Sequence, residues 1–156
     1  MNYDRILNPA VTSMPPSGIR KFFDIAAEME DCISLGVGEP DFVTPWDIRE
    51  AAIKSLKDGM TCYTGNAGLP ELRDLICRYY KERFGVSYTR AECLVTVGAS
   101  EAIDLAMRAL VSPGDEVLIP APSYVSYMPC VTLAGGVPVA VPTTSANGFK
   151  MRAEAV

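Results

Sequence analysis

Apolar residues recur at helical spacing through the first half of the chain. Ile19, Phe22, Phe23, Ala26 and Ala27 predict a short helix after an irregular arm, residues 1–18, marked by Pro9, Pro15, Pro16 and Gly18. Ile48, Ala51, Ala52 and Leu56 predict a second helix, with Thr44 as its N-cap, Pro45 at its first position, Asp47 near its positive end and Gly59 as its stop. Leu72, Leu75, Ile76, Tyr79 and Tyr80 follow at intervals of three and four, so Pro70 opens an amphipathic helix that Gly85 ends. Two glycine-containing loops, Gly36-Val37-Gly38-Glu39-Pro40 and Tyr63-Thr64-Gly65-Asn66-Ala67-Gly68, separate these segments.

From Cys93 the pattern changes. Cys93–Val97, Glu116–Ile119 and Val137–Val141 are short, β-rich apolar runs. Between them lie a helical segment to Leu110, with Ile103, Ala106 and Met107 on one side, and a second from about Ser126 to Ala134 that Gly135-Gly136 stops. Strand, helix, strand, helix, strand is the order of a parallel α/β sheet with crossover connections.

Composition narrows the chemistry. The 156 residues are 49% hydrophobic and 21% charged, which is the balance of a globular domain. The net charge is −5 and the 14 Lys and Arg residues are scattered, so neither nucleic acid nor an anionic membrane is an expected partner. No apolar stretch approaches a membrane span, and the start lacks a signal-peptide pattern, which places the chain in the cytoplasm by default. Histidine is absent, which excludes Ser-His-Asp and Cys-His nucleophile systems. A zinc site would have to use thiolates or carboxylates alone, and no metal is expected. Cys32, Cys62, Cys77, Cys93 and Cys130 form no C-x-x-C pair and read as reduced, structural thiols.

Two places can carry chemistry. Val97-Gly98-Ala99-Ser100 joins a predicted strand to a predicted helix. Such a turn exposes unpaired N–H groups at the positive end of the helix dipole, an arrangement suited to phosphate. The alternative is that Ser100 is simply the N-cap. The turn is not a P-loop, lacking its Lys and glycine spacing, and Gly36-Val37-Gly38 lacks the third glycine of a dinucleotide fingerprint. Tyr124 follows the Pro120-Ala121-Pro122 loop at the carboxyl end of a strand, where α/β proteins bind ligands. It either stacks on a planar ligand or packs against its neighbours.

The motifs Leu35-Gly36-Val37-Gly38-Glu39-Pro40-Asp41-Phe42, Tyr63-Thr64 with Gly68-Leu69-Pro70-Glu71-Leu72-Arg73, Thr96-Val97-Gly98-Ala99-Ser100-Glu101-Ala102, Pro113-Gly114-Asp115-Glu116-Val117 and Pro120-Ala121-Pro122-Ser123-Tyr124 come in that order. Together they resemble the class I/II aminotransferases, fold type I enzymes that use pyridoxal 5′-phosphate. The resemblance runs from about Ile19 to Met151. It implies the N-terminal part of that fold: a helical arm plus the first β-α-β-α-β of the large-domain sheet. Residues 1–45 would be the arm and loop of the small domain and interface, and residues 46–156 the first part of the cofactor-binding large domain.

The resemblance also implies roles. Gly98, Ala99 and Ser100 match the phosphate-cradling turn, and Tyr124 the aromatic stacked on the pyridine ring. Tyr63 matches the tyrosine that reaches the phosphate in the neighbouring subunit, which implies a homodimer. Gly38 matches the backbone position near the substrate carboxylate, and Ile19 and Arg20 a segment bordering the active site. The implied reaction moves an amino group between an amino acid and a 2-oxo acid. The family's Schiff-base lysine and ring-nitrogen aspartate have no counterparts here, and Lys21, Lys54, Lys57, Lys81 and Lys150 lie outside the lysine motif. The chain therefore reads as an N-terminal portion with no catalytic lysine, inactive alone. C–S β-lyases and cyclopropane-carboxylate synthases share these motifs and are the alternative reactions. A non-catalytic remnant and an unrelated module that binds a phosphorylated ligand are the others.

Overall fold

A computed structural model describes residues 6–33, 38 and 40–155. They fall into two compact units, one comprising Gly18–Val95, the other Thr96 onward together with the arm up to Ser17. These are boundaries of compactness; the expected division at residue 45 is one of role. Among the described residues no helix is long and apolar enough to cross a membrane.

In the 18–95 unit the helices form where the periodicity places them: α2 is Ile19–Ala27, α3 Trp46–Lys57 and α4 Pro70–Phe84. (A single turn, Pro9–Thr12, is α1; it lies in the arm expected to be irregular, and the Asn8 side chain caps it.) α4 begins with Pro70 and Glu71 and ends with Lys81 and Arg83, charges that complement its dipole at both ends. Gly85 closes it with a φ of 71°, a left-handed conformation that glycine adopts without steric cost. The start of α3 corrects the expected cap. Pro45 is the N-cap rather than the first helical residue, and no side chain caps the helix, so Thr44 has no such role. The extended ψ of Pro45, 144°, delays the helix by one residue, and the Pro45 carbonyl takes the first N–H bonds, from Ile48 and Arg49.

Beyond α4 the chain returns through a 3-10 turn, Arg90–Glu92, clamped to the helix by charge-assisted bonds. Arg73 donates from Nε to the Cys93 carbonyl at 2.6 Å and from its guanidinium to the Arg90 carbonyl. Arg90 grips both carboxylate oxygens of Asp74. Tyr80 packs among Phe84 and Tyr88, with centroids 5.5 and 5.9 Å away.

The second unit contains α5, Gly98–Leu110; β1, Glu116–Ala121; α6, Tyr127–Leu133; and β2, Val137–Pro142. β1 and β2 pair in parallel, from Glu116 opposite Val137 to Ala121 opposite Pro142. α6 is the connection that a parallel pair requires. Ile119, Val131 and Val141 are 4%, 1% and 2% exposed, and Cys130 is buried beside them. Gly136 lets the chain turn tightly into β2, because a Cβ there would stand 2.6 Å from Val111 Cγ1 and 3.0 Å from Val131 Cγ1.

The predicted strand at 93–97 is a second correction. Cys93 is extended, and the Val95 N–H bonds to the Ala67 carbonyl at 3.0 Å, but among the described residues only β1 and β2 form a ladder. An apolar β-rich run becomes a strand only when a neighbour supplies that ladder.

Candidate functional site

The turn from Thr96 into α5 is the best-formed candidate. Gly98 has a φ of 82° and is the first helical residue, with Val97 as N-cap. Its N–H bonds to the Thr96 carbonyl, and the Thr96 hydroxyl donates to the Gly98 carbonyl at 2.9 Å. The Glu101 carboxylate accepts from the Val97 N–H and holds the turn from the other side. Ser100 is thus the third residue of the helix and not its N-cap. The distinction frees its hydroxyl: a side chain at the N-cap would bend back onto the backbone, whereas this one projects from the first turn. Among the described residues no acceptor takes the backbone N–H of Ala99 or Ser100, and Gly98, Ala99 and Ser100 are all exposed.

Tyr124 comes to the same place. The Ser126 hydroxyl, and after it the Ser100 hydroxyl, stand near its phenol and hold its pKa below the ordinary tyrosine value. Its ring stands edge to face with Tyr127 at 5.8 Å and is half-exposed. Two residues singled out separately in the sequence, Ser100 and Tyr124, are therefore neighbours. The result is a turn with unclaimed N–H donors and an exposed serine beside a half-exposed aromatic ring. Such a donor set suits the phosphate and flat ring of a phosphorylated heteroaromatic cofactor.

The other candidates lie in the 18–95 unit. Tyr63 is fully exposed on its loop. That loop is anchored at Gly68, whose φ is 95° and where a Cβ would meet Val95 Cβ at 2.7 Å. Ile19 opens α2 and is half-buried, while the side chain of Arg20 lies outside the described residues. Gly38 is exposed with open space around it; residues 34–37 and 39 of its motif lie outside the described residues. Two site residues escaped the sequence reading. Ser126 gave no signal, since two-residue spacing from Tyr124 in a loop predicts nothing. Glu101 did: an acid in the first turn of a predicted helix complements the helix dipole.

The family model for aminotransferase class I and II matches residues 30–156. The Bacillus subtilis protein YugH, which carries a provisional name as an aminotransferase, is 59% identical over 148 residues, covering 94% of this chain and 38% of its own length. An aspartate aminotransferase of Pyrococcus abyssi is 49% identical over 140 residues, covering 89% of this chain and 36% of its own. The solved structure of the Thermus thermophilus aspartate aminotransferase with maleate superposes with a TM-score of 0.87 at 38% identity, covering 96% of this chain and 40% of that one. The chain thus spans well under half the length of the relatives it matches.

Proposed function

This chain belongs to the class I and II aminotransferases and has the N-terminal part of the fold type I arrangement, and from that premise we propose that it supplies the phosphate-binding turn and ring-stacking tyrosine of a pyridoxal 5′-phosphate site. The observation that carries the proposal is the meeting of the Ser100 and Tyr124 hydroxyls at the N-terminus of α5. Members of the family generally use this cofactor, which when bound supplies the electron sink for charge at the substrate α-carbon. The reaction is transfer of an amino group between an amino acid and a 2-oxo acid.

Each residue has a physical task in this reading. The Ala99 and Ser100 N–H groups and the Ser100 hydroxyl bind the phosphate dianion, aided by the dipole of the α5 helix. Gly98, left-handed and bare of a side chain, lets the phosphate approach the backbone. Glu101 fixes the turn by accepting from the Val97 N–H. Tyr124, half-exposed, stacks on the pyridine ring. Tyr63 serves the phosphate of a second subunit across a dimer interface, consistent with its complete exposure. Gly38 lies near the substrate carboxylate, and Ile19 and Arg20 border the site. Residues 46–156 then form the first part of the cofactor-binding domain, and residues 1–45 the arm and interface.

The test is Ser100→Ala in the full-length enzyme. Losing one hydrogen bond to a charged group costs roughly 1.5–3 kcal/mol, so cofactor affinity should fall by about one to two decades. Titration of the cofactor by absorbance reads this directly. An unchanged dissociation constant would remove the turn from the phosphate site.

A further inference from the structure

The 18–95 unit brings together two cysteines that the sequence leaves far apart. Cys77 stands one turn after Arg73 on the same face of α4. Arg73 is bonded to the Cys93 carbonyl, and the Cys77 thiol donates to the Thr89 carbonyl at 3.4 Å. Both cysteines line one pocket of about 340 Å³, open to solvent and walled by Ile76, Tyr80, Tyr88 and Leu94. Both are half-buried and face the same pocket, and Cys93 is close enough to Cys77 to act on its titration. The other three cysteines differ: Cys32 and Cys62 are exposed, and Cys130 is buried in the other unit.

We propose that Cys77 and Cys93 form a redox-active thiol pair that closes to a disulfide by exchange with a low-molecular-weight disulfide such as oxidised glutathione. The pocket opens to solvent, so a small disulfide can reach the thiols, and Arg73 and Arg90 fix the 90–93 segment against α4. The Cys93 thiolate attacks one sulfur of the small disulfide, forming a mixed disulfide and expelling one small thiolate. Cys77 then loses its proton to solvent and attacks the Cys93 sulfur; the Cys77–Cys93 bond forms and the second small thiolate leaves. The two protein thiols give up two electrons and two protons, and the small disulfide is reduced to two thiols. The order of attack follows from the surroundings. Burial, and then the neighbouring Cys93, push the Cys77 thiol above its ordinary pKa, so it resolves the mixed disulfide rather than starting the exchange.

The full-length protein, equilibrated with glutathione buffers of increasing oxidised fraction, acid-quenched, alkylated and peptide-mapped, tests this. The expected product joins the Cys77 and Cys93 peptides, has lost two hydrogens, and reverts in reduced glutathione. Cys77→Ser should accumulate a glutathione mixed disulfide on Cys93. Cys93→Ser should form one on Cys77 more slowly, because less of that thiol is ionised. Full alkylation of both thiols in the most oxidising buffer would overturn the pair, as would cross-linking of either to Cys32 or Cys62 in preference. The wild-type map decides this even if a variant fails to fold, and it does not depend on cofactor binding.

Discussion

The two compact units are held together by opposite means. In the unit from Thr96 onward, two strands pair in parallel and Ile119, Val131 and Val141 are sealed between sheet and helix. In the 18–95 unit no described residue is fully buried. Its order comes from helices that satisfy their own backbones and from Arg73 and Arg90, which tie the returning chain to α4. A parallel pair cannot be closed by a tight turn, so it needs a crossover and apolar burial to hold it. A helix needs neither, and side-chain bonds are enough to orient the segment after it. Burial thus builds the scaffold under the proposed phosphate turn, whereas polar clamps position the Cys77–Cys93 pocket.

The largest effect should come from breaking the sealed layer. Ile119→Ala should cost about 2–5 kcal/mol, as large-to-small core changes do. Denaturant unfolding of the full-length protein measures the loss. Hydrogen exchange should quicken in β1 and β2 while amides of α4 keep their protection; uniform acceleration across both would show that the units do not differ as described.

A smaller effect should follow at the hinge of the other unit. Gly68→Ala puts a Cβ 2.7 Å from Val95 Cβ at a φ of 95°, and a left-handed non-glycine residue costs about 1–3 kcal/mol. Adding Val95→Gly, which removes that Cβ, should relieve the crowding but not the backbone strain, so the double variant should recover only part of the midpoint lost relative to Val95→Gly alone. Complete recovery would show that space alone requires the glycine.

The smallest effect concerns acid. The hydrogen bond from Arg90 holds the Asp74 carboxyl below its usual pKa, and the Thr89 backbone N–H, then its hydroxyl, do the same for Glu92. The unfolded chain therefore binds more protons than the folded one as pH falls through the ordinary carboxylate range. The stabilisation is fully present at neutral pH and is lost progressively below that range, as the folded carboxyls themselves protonate. Both groups are exposed, so the effect is modest and screened by salt. Asp74→Asn with Glu92→Gln should flatten the acid limb of stability against pH for α4 amides and leave β1 and β2 unchanged. An undiminished acid limb would show that the clamp contributes nothing measurable.

Much of this architecture is legible in the linear pattern. The 3.6-residue spacing located α2 to α5, and Gly59 and Gly85 stand at the predicted stops with φ of 75° and 71°. The runs at 116 and 137 became β1 and β2, and the small-residue turn at 97–100 does open a helix. These features are local: a helix completes its hydrogen bonds within four residues, and a glycine's allowed φ is its own property. The helix starts were less legible: Pro45 took the N-cap position expected of Thr44, and Val97 the one that the alternative reading gave to Ser100, through backbone geometry that composition does not dictate.

What the residues alone could not decide were the encounters between distant segments. An apolar run at 93–97 has strand chemistry, yet it remains unpaired here while two similar runs join. Ser100 meeting Tyr124, and Cys93 meeting Cys77, likewise depend on how a loop and a returning chain are routed. Spacing and residue type therefore determined the helices, their stops, the parallel character of the sheet and the turn suited to phosphate, all set by short-range sterics and hydrogen bonding. Strand pairing and side-chain juxtaposition were left to the tertiary structure, because both are set by long-range packing that no local pattern encodes.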